Sequence, residues 1–219
     1  QGGKVSFKVT DLTYNISYNA NGGSGAPSSQ TKYYDKWLTL SSQKPIRTGY
    51  TFKGWSTSST ATKASYQPGD NYTSNSDATL YAVWERTQYN ISYNANGGSG
   101  APSAQSKYHG STLTLRSAKP TRTGYIFKGW STSSTATKAS YQPGDNYTSN
   151  SNVTLYAVWE KIQYNISYDA NGGSGAPSDQ SKYYGSTLTL RSAKPTRTGY
   201  IFKGWSTSST ATKASYQPG

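Results

Sequence analysis

The chain has no cysteine and no methionine, a single histidine, and only nine acidic residues among 219. Without cysteine there is no disulfide and no thiolate metal site. With Gln at position 1 and no initiating methionine, the chain reads as a processed product or an excised fragment. No apolar run approaches the length of a membrane-crossing helix, and no signal-peptide pattern stands at the start. Hydrophobic residues are sparse at 32%, yet there are 21 tyrosines and six tryptophans. The core must therefore be aromatic. Disorder is excluded, because disordered chains are depleted in aromatics. The few acids face 22 basic residues, for a net charge of +13. Such a balance gives either a solvated, self-repelling surface or attraction to a polyanion, such as an acidic cell-wall polymer or mucin glycan. No helical reading element for nucleic acid is visible.

What is present is a repeat. Tyr14, Tyr89 and Tyr164 open copies at a period of 75 residues, and the second and third copies differ only at Asn94/Asp169, Ala104/Asp179 and His109/Tyr184 over their shared stretch. A fixed long period means a linear array of similar units, which supplies reach, valency or scaffolding more readily than one catalytic cleft. The expected organisation is a strand segment at 1–13, unit one at 14–88, unit two at 89–163 and unit three at 164–219. A unit of this size is just long enough to fold alone, with a thin core.

Within one unit, Tyr89 to Ala95 alternates apolar and polar residues and predicts a strand with one buried face. Asn96 to Pro102 is a glycine-rich loop. Ser111 to Leu115 predicts a short strand, broken by Lys119-Pro120. Gly124 to Trp130 predicts another, with a bulge at Gly129. Thr154 to Trp159 closes the unit. Leu155, Ala157 and Trp159 share one of its faces, and Tyr156 and Val158 the other. Both faces are apolar, so this strand should be central and covered on both sides.

An opening strand ending in NANGG, then PxRTGYxFxGW, then a closing TLYAVW resembles the Listeria–Bacteroides repeat, or internalin B-repeat, over nearly the whole chain after Thr13. The resemblance implies secreted or surface-displayed bacterial multi-repeat proteins. It implies a mainly β fold of tandem, small β-grasp-like domains in a linear array, and it implies no enzymatic activity.

Unit three departs from the pattern. It stops at Gly219, the counterpart of Gly144, and lacks the closing strand. At the other end Lys4 to Val9 matches the apolar phase of that strand, with Val5, Phe7 and Val9 in the places of Leu80, Ala82 and Trp84. Three arrangements follow. Val5, Phe7 and Val9 of one molecule fill a groove of another, lined by Tyr164, Ile166, Tyr168, Tyr200, Phe202 and Trp205, as in strand addition between chains; a head-to-tail contact of this kind propagates into a fibre. Alternatively, the chain was simply cut there. In the third arrangement each closing strand belongs to the following unit, and whole units begin at Lys4, Thr79 and Thr154.

Residues suited to catalysis are scarce. His109 is replaced by tyrosine in both sister units and has no partner to make it a base. Only Asp70/Asp145 and Glu85/Glu160 recur among the acids, and nothing places them as a facing pair. Lys53, Lys128 and Lys203 lie in predicted strands. Burial there would suit a lysine–asparagine amide crosslink, and exposure would not. Trp55 and Trp130 are candidate ligand-contact aromatics, the alternative being core. The expected role is that of a non-enzymatic extracellular structural protein, a stalk or a self-assembling filament whose partners are copies of itself. The alternative is a multivalent adhesin for glycans or anionic cell-wall polymers. No cofactor, metal, nucleic acid or membrane span is expected.

Overall fold

In the computed structural model, which describes residues 2–219, no helix occurs and strands follow the 75-residue period. The first repeat contributes β1 (Thr13–Asn19), β2 (Gln30–Tyr33), β3 (Leu38–Thr39), β4 (Tyr50–Ser56), β5 (Asn71–Tyr72) and β6 (Ala78–Arg86). Four of these form one mixed sheet in the order β2-β1-β6-β4, and β3 pairs with β5 in a second, two-stranded sheet. β1 runs antiparallel to β2 and parallel to β6, with Ile16 opposite Ala78 and Asn19 opposite Tyr81. β6 runs antiparallel to β4 on its other side.

The closing strand is thus central, as its two apolar faces require. Leu80 and Ala82 are buried on one face, and Val83 on the other. Because β6 pairs with β1 and β4 of its own repeat, the arrangement in which it completes the following unit is overturned. β6 pairs with the distant β1 although β7 begins two residues after it, and only Thr87 separates β6 from β7.

The core of the first repeat is Ile16, Leu40, Trp55, Tyr72, Leu80 and Ala82, flanked by Tyr18, Phe52, Tyr66 and Trp84. Trp55 sits at its centre, edge-on to Tyr18 at 4.9 Å and to Phe52 at 5.0 Å. Geometry of this kind is favoured by the ring quadrupoles. A bulge between Phe52 and Gly54 turns the indole inward. Gly54 takes φ 125°, and a Cβ there would lie 2.5 Å from the Tyr66 carbonyl oxygen, so only glycine fits.

The second repeat repeats the plan with β7 (Gln88–Asn94), β8 (Gln105–Tyr108), β9 (Leu113–Thr114), β10 (Tyr125–Ser131), β11 (Asn146–Tyr147) and β12 (Val153–Lys161). Its sheet order is β10-β12-β7-β8, with β9 beside β11. The expected bulge at Gly129 is present. The expected strand at 111–115 contracts to two residues, since β11 offers only two for pairing. Leu115 lies just past it, buried, its N–H bonded to the Asp145 carbonyl at 2.8 Å.

The third repeat has only β13 (Gln163–Ile166) and β14 (Gln180–Tyr183), paired antiparallel. β13 ends three residues short of the extent of β1, because nothing lies alongside Ser167 to Asp169. Residues 200–206 hold no strand beyond the single bridge from Trp205 to Tyr216.

By contacts the chain clusters into two compact units. One comprises residues through Ile91 with 105–113 and 146–152, and the other 92–104, 114–145 and 153–219. The first contains the step from repeat one to repeat two. There Thr87 donates its N–H to the Gly49 carbonyl and accepts from the His109 N–H, both at 2.9 Å. The imidazole covers Gly49, where φ is 77° and a Cβ would lie 2.7 Å from the ring. The second unit contains the same joint one period on, made by Ile162 with Gly124 and Tyr184, again at 2.9 Å for both bonds.

Candidate functional site

The third repeat opens into a groove of about 1650 Å³ where its sister repeats hold the closing strand. Ile166, Tyr168, Tyr200, Phe202 and Trp205 line it, and Leu188 and Leu190 contribute. The aromatic floor is already assembled: Trp205 stands edge-on to Tyr168 at 4.9 Å and to Phe202 at 5.0 Å, as Trp55 does to its own neighbours. The Tyr168 hydroxyl donates to Gln180 and accepts from the Arg191 N–H at 3.1 Å. Tyr164, expected in the groove, is not part of it. In repeat one β6 starts opposite Ile16, so the counterpart of Tyr14 lies past the end of the slot, and Tyr164 is 47% exposed.

The segment expected to donate a strand is free of secondary structure. Val5, Phe7 and Val9 are 99%, 88% and 79% exposed. The structure therefore has an unfilled strand slot and an unpaired apolar segment in one chain.

Trp55 and Trp130, the candidate ligand-contact aromatics, are both 0% exposed. They are core, and the expectation of ligand stacking on them is corrected by that burial. The bulges at Gly54 and Gly129 point them inward, which strand alternation alone does not disclose. Of the other tryptophans, Trp37 is 72% exposed and Trp205 is partly buried in the third repeat, while Trp84 and Trp159 are half-buried on the closing strands, each with its Nε1–H bonded at 2.9 Å to the Ala20 or Ala95 carbonyl.

Lys53 and Lys128 are about half exposed and pair with Glu85 and Glu160 at 3.1 and 2.9 Å. A solvated lysine is a poor nucleophile, so the crosslink that burial at these positions would suit has no footing. The lysines that are buried are others. Lys32 is 1% and Lys107 4% exposed. Lys107 Nζ donates to the carbonyls of Thr148 (3.1 Å) and Ser149 (2.9 Å) and to Asn150 Oδ1 (3.0 Å). Lys32 Nζ donates to Asn75 Oδ1 at 2.6 Å and to the Tyr33 carbonyl at 3.1 Å. Each ammonium also lies over a tyrosine ring, Tyr14 or Tyr89, at 5.7 and 5.8 Å. These networks fasten the edge strand to the loop ahead of the closing strand. The alternation of QTKY and QSKY sets the lysine on the same face as the glutamine, but does not say what covers that face.

His109 serves the joint described above, and its Nδ1 lies 3.2 Å from the Tyr89 hydroxyl. Among the described residues no group of three or more metal-ligating side chains gathers, and no helix is long and apolar enough to cross a membrane. Burial holds the Tyr18 and Tyr93 hydroxyls above the usual tyrosine range, against the backbone N–H groups of Ser41 and Arg116, which favour ionisation.

Two proteins of Evansella cellulosilytica are similar to this chain. One, described as a "Putative Gly-rich membrane protein", is 34% identical over 198 residues, covering 88% of this chain and 22% of its own length. The other, described as a "Putative membrane protein", is 33% identical over 192 residues, covering 88% of this chain and 27% of its own length. The chain thus spans about a quarter or less of the length of these relatives. The sequence profile of the Listeria-Bacteroides repeat domain matches three times, at residues 14–83, 89–158 and 164–219. With three matches spread over nearly all of its length, the chain belongs to the Listeria-Bacteroides repeat family.

Proposed function

We propose that this chain is a non-enzymatic, load-bearing segment of an extracellular bacterial surface protein, spacing or displaying what is attached to it. The observation that carries the reading is the pairing of the first and last strands of a repeat. β1 and β6 are parallel neighbours, from Ile16 opposite Ala78 to Asn19 opposite Tyr81. Tension applied along the chain pulls parallel strands in opposite directions, which loads their hydrogen bonds together in shear. Antiparallel terminal strands would instead peel one bond at a time. The family membership and the relatives described as membrane proteins fit a surface location.

Single-molecule pulling on the two termini tests this. Repeats one and two should unfold in separate steps, each releasing roughly 25 nm of chain, from 75 residues at about 3.5 Å each less the folded span. Smooth extension without steps would refute a load-bearing role.

A second reading rests on the unfilled slot and the exposed Val5, Phe7 and Val9: the 219-residue chain assembles head-to-tail by strand donation. Sheet-edge addition gains main-chain hydrogen bonds and side-chain pockets together. Deleting residues 1–10 should then leave monomers in sedimentation, and a peptide of that sequence should bind them. Assembly that survives the deletion sinks this reading.

A further inference from the structure

The structure assigns to repeats one and two a surface pocket for an acidic sugar unit of an anionic polysaccharide. In repeat two it is an open cavity of about 870 Å³ between the glycine-rich loop and the PTRTGY segment, within the size range of small-ligand sites. Phe127 and Trp159 line it, ring centroids 5.6 Å apart. The bond from Trp159 Nε1 to Ala95 fixes that indole in place. Lys119 and Arg122 supply positive charge, and Thr121 and Thr123 hydroxyls. No carboxylate lines the cavity.

Arg122 is held in advance. Its guanidinium stacks on Tyr125 at 3.9 Å, and Nη1 makes a 3.4 Å bond to the Asn96 carbonyl. Of its five donors, most are left for a ligand. No ion pair joins Arg122 to a carboxylate among the described residues, and no carboxylate lines the cavity to neutralise its charge. A planar, pre-oriented guanidinium suits a carboxylate, sulfate or phosphate ester. The aromatic faces suit the apolar face of a sugar ring.

Repeat one carries Lys44, Arg47, Tyr50, Phe52 and Trp84 in the matching positions, with Ile46 in place of Thr121. Arg47 lies 3.8 Å over Tyr50 and 3.4 Å from the Asn21 carbonyl, and Phe52 and Trp84 are 5.6 Å apart. Repeat three keeps Arg197 on Tyr200 at 4.1 Å. Two matched sites on one chain raise the avidity for a polymer beyond that of either alone. This inference is independent of the load-bearing role.

The test uses the intact chain, with the indole N–H signals of its six tryptophans as reporters in ¹⁵N NMR. The probes are a galacturonic acid trimer, a sulfated heparin tetrasaccharide and neutral dextran. Trp84 and Trp159 should shift with at least one acidic probe, while buried Trp55 and Trp130 stay unmoved and dextran has no effect. Arg122→Ala should weaken binding at Trp159 tenfold or more and leave Trp84 unchanged, an internal reference in the same molecule. Lys119→Ala, at an exposed position, should weaken it less and guards against misfolding by the arginine variant. No response at Trp84 and Trp159, an equal response to dextran, or loss at both sites from Arg122→Ala with Trp130 undisturbed would each overturn the assignment.

Discussion

Appending a copy of Asp145 to Gln163 after Gly219 should convert the third repeat from an open groove into a closed sheet. The magnitude follows from the second repeat. Leu155 and Val158 are buried there to 0% and 2% exposure, and each such side chain contributes about 1.5–3 kcal/mol. Half-buried Tyr156 and Trp159 add a similar amount together, for a gross gain of roughly 5–10 kcal/mol. Whole domains are stable by only about 5–15 kcal/mol, so this strand separates a marginal repeat from a robust one. Amide hydrogen exchange reads the change locally. Ser167 to Asp169 should become an extension of β13, and residues 201–206 should gain a partner, as β4 has in β6. Exchange there should slow on the order of 10³-fold or more, given a factor of ten per 1.4 kcal/mol. The appended strand should also compete with a peptide of residues 1–10 for the groove. If exchange at 167–169 and 201–206 is unchanged by the extension, the slot is not what the missing strand leaves behind, and the account of the groove is wrong.

Three further outcomes are expected. Gly129→Ala should destabilise repeat two by at least about 2 kcal/mol in urea unfolding, from a backbone region hostile to side chains and a Cβ only 2.6 Å from the Tyr141 carbonyl oxygen; a neutral result would refute the bulge. Lys107→Met should cost about 2–4 kcal/mol, because it strips donors from buried acceptors, whereas Lys53→Ala should cost under ~1 kcal/mol, as for an exposed ion pair; equal losses on denaturation would contradict the burial difference. Tyr18 and Tyr93 keep their protons past the usual tyrosine range, so the folded state holds more protons than the unfolded state once free tyrosine ionises near pH 10. Stability should therefore be full below about pH 10 and fall as pH rises through the folded values, with two tyrosines titrating late in absorbance at 295 nm.

The period, the mainly β class, the bulge at Gly129 and the central place of the closing strand were all legible in the sequence, because each rests on local pattern. A 75-residue identity needs no coordinates. A strand apolar on both faces has nowhere to go but the middle of a sheet. Alternation, however, says which residues share a face and not what lies over that face. Trp55 and Trp84 recur in equally plain strand motifs, yet the bulge and core packing bury the first, and the edge of the loop leaves the second half open. Hence the aromatics singled out for ligand contact, Trp55 and Trp130, lie in the core. Lys32 and Lys107 are buried only because carbonyls and an asparagine some 40 residues on come to meet them, a long-range coincidence no local window contains. The parallel pairing of β1 with β6, and the seating of His109 and Tyr184 on glycines of the preceding repeat, were likewise decided by tertiary structure. Both depend on which surfaces meet once the chain is folded, and local pattern carries no record of that meeting.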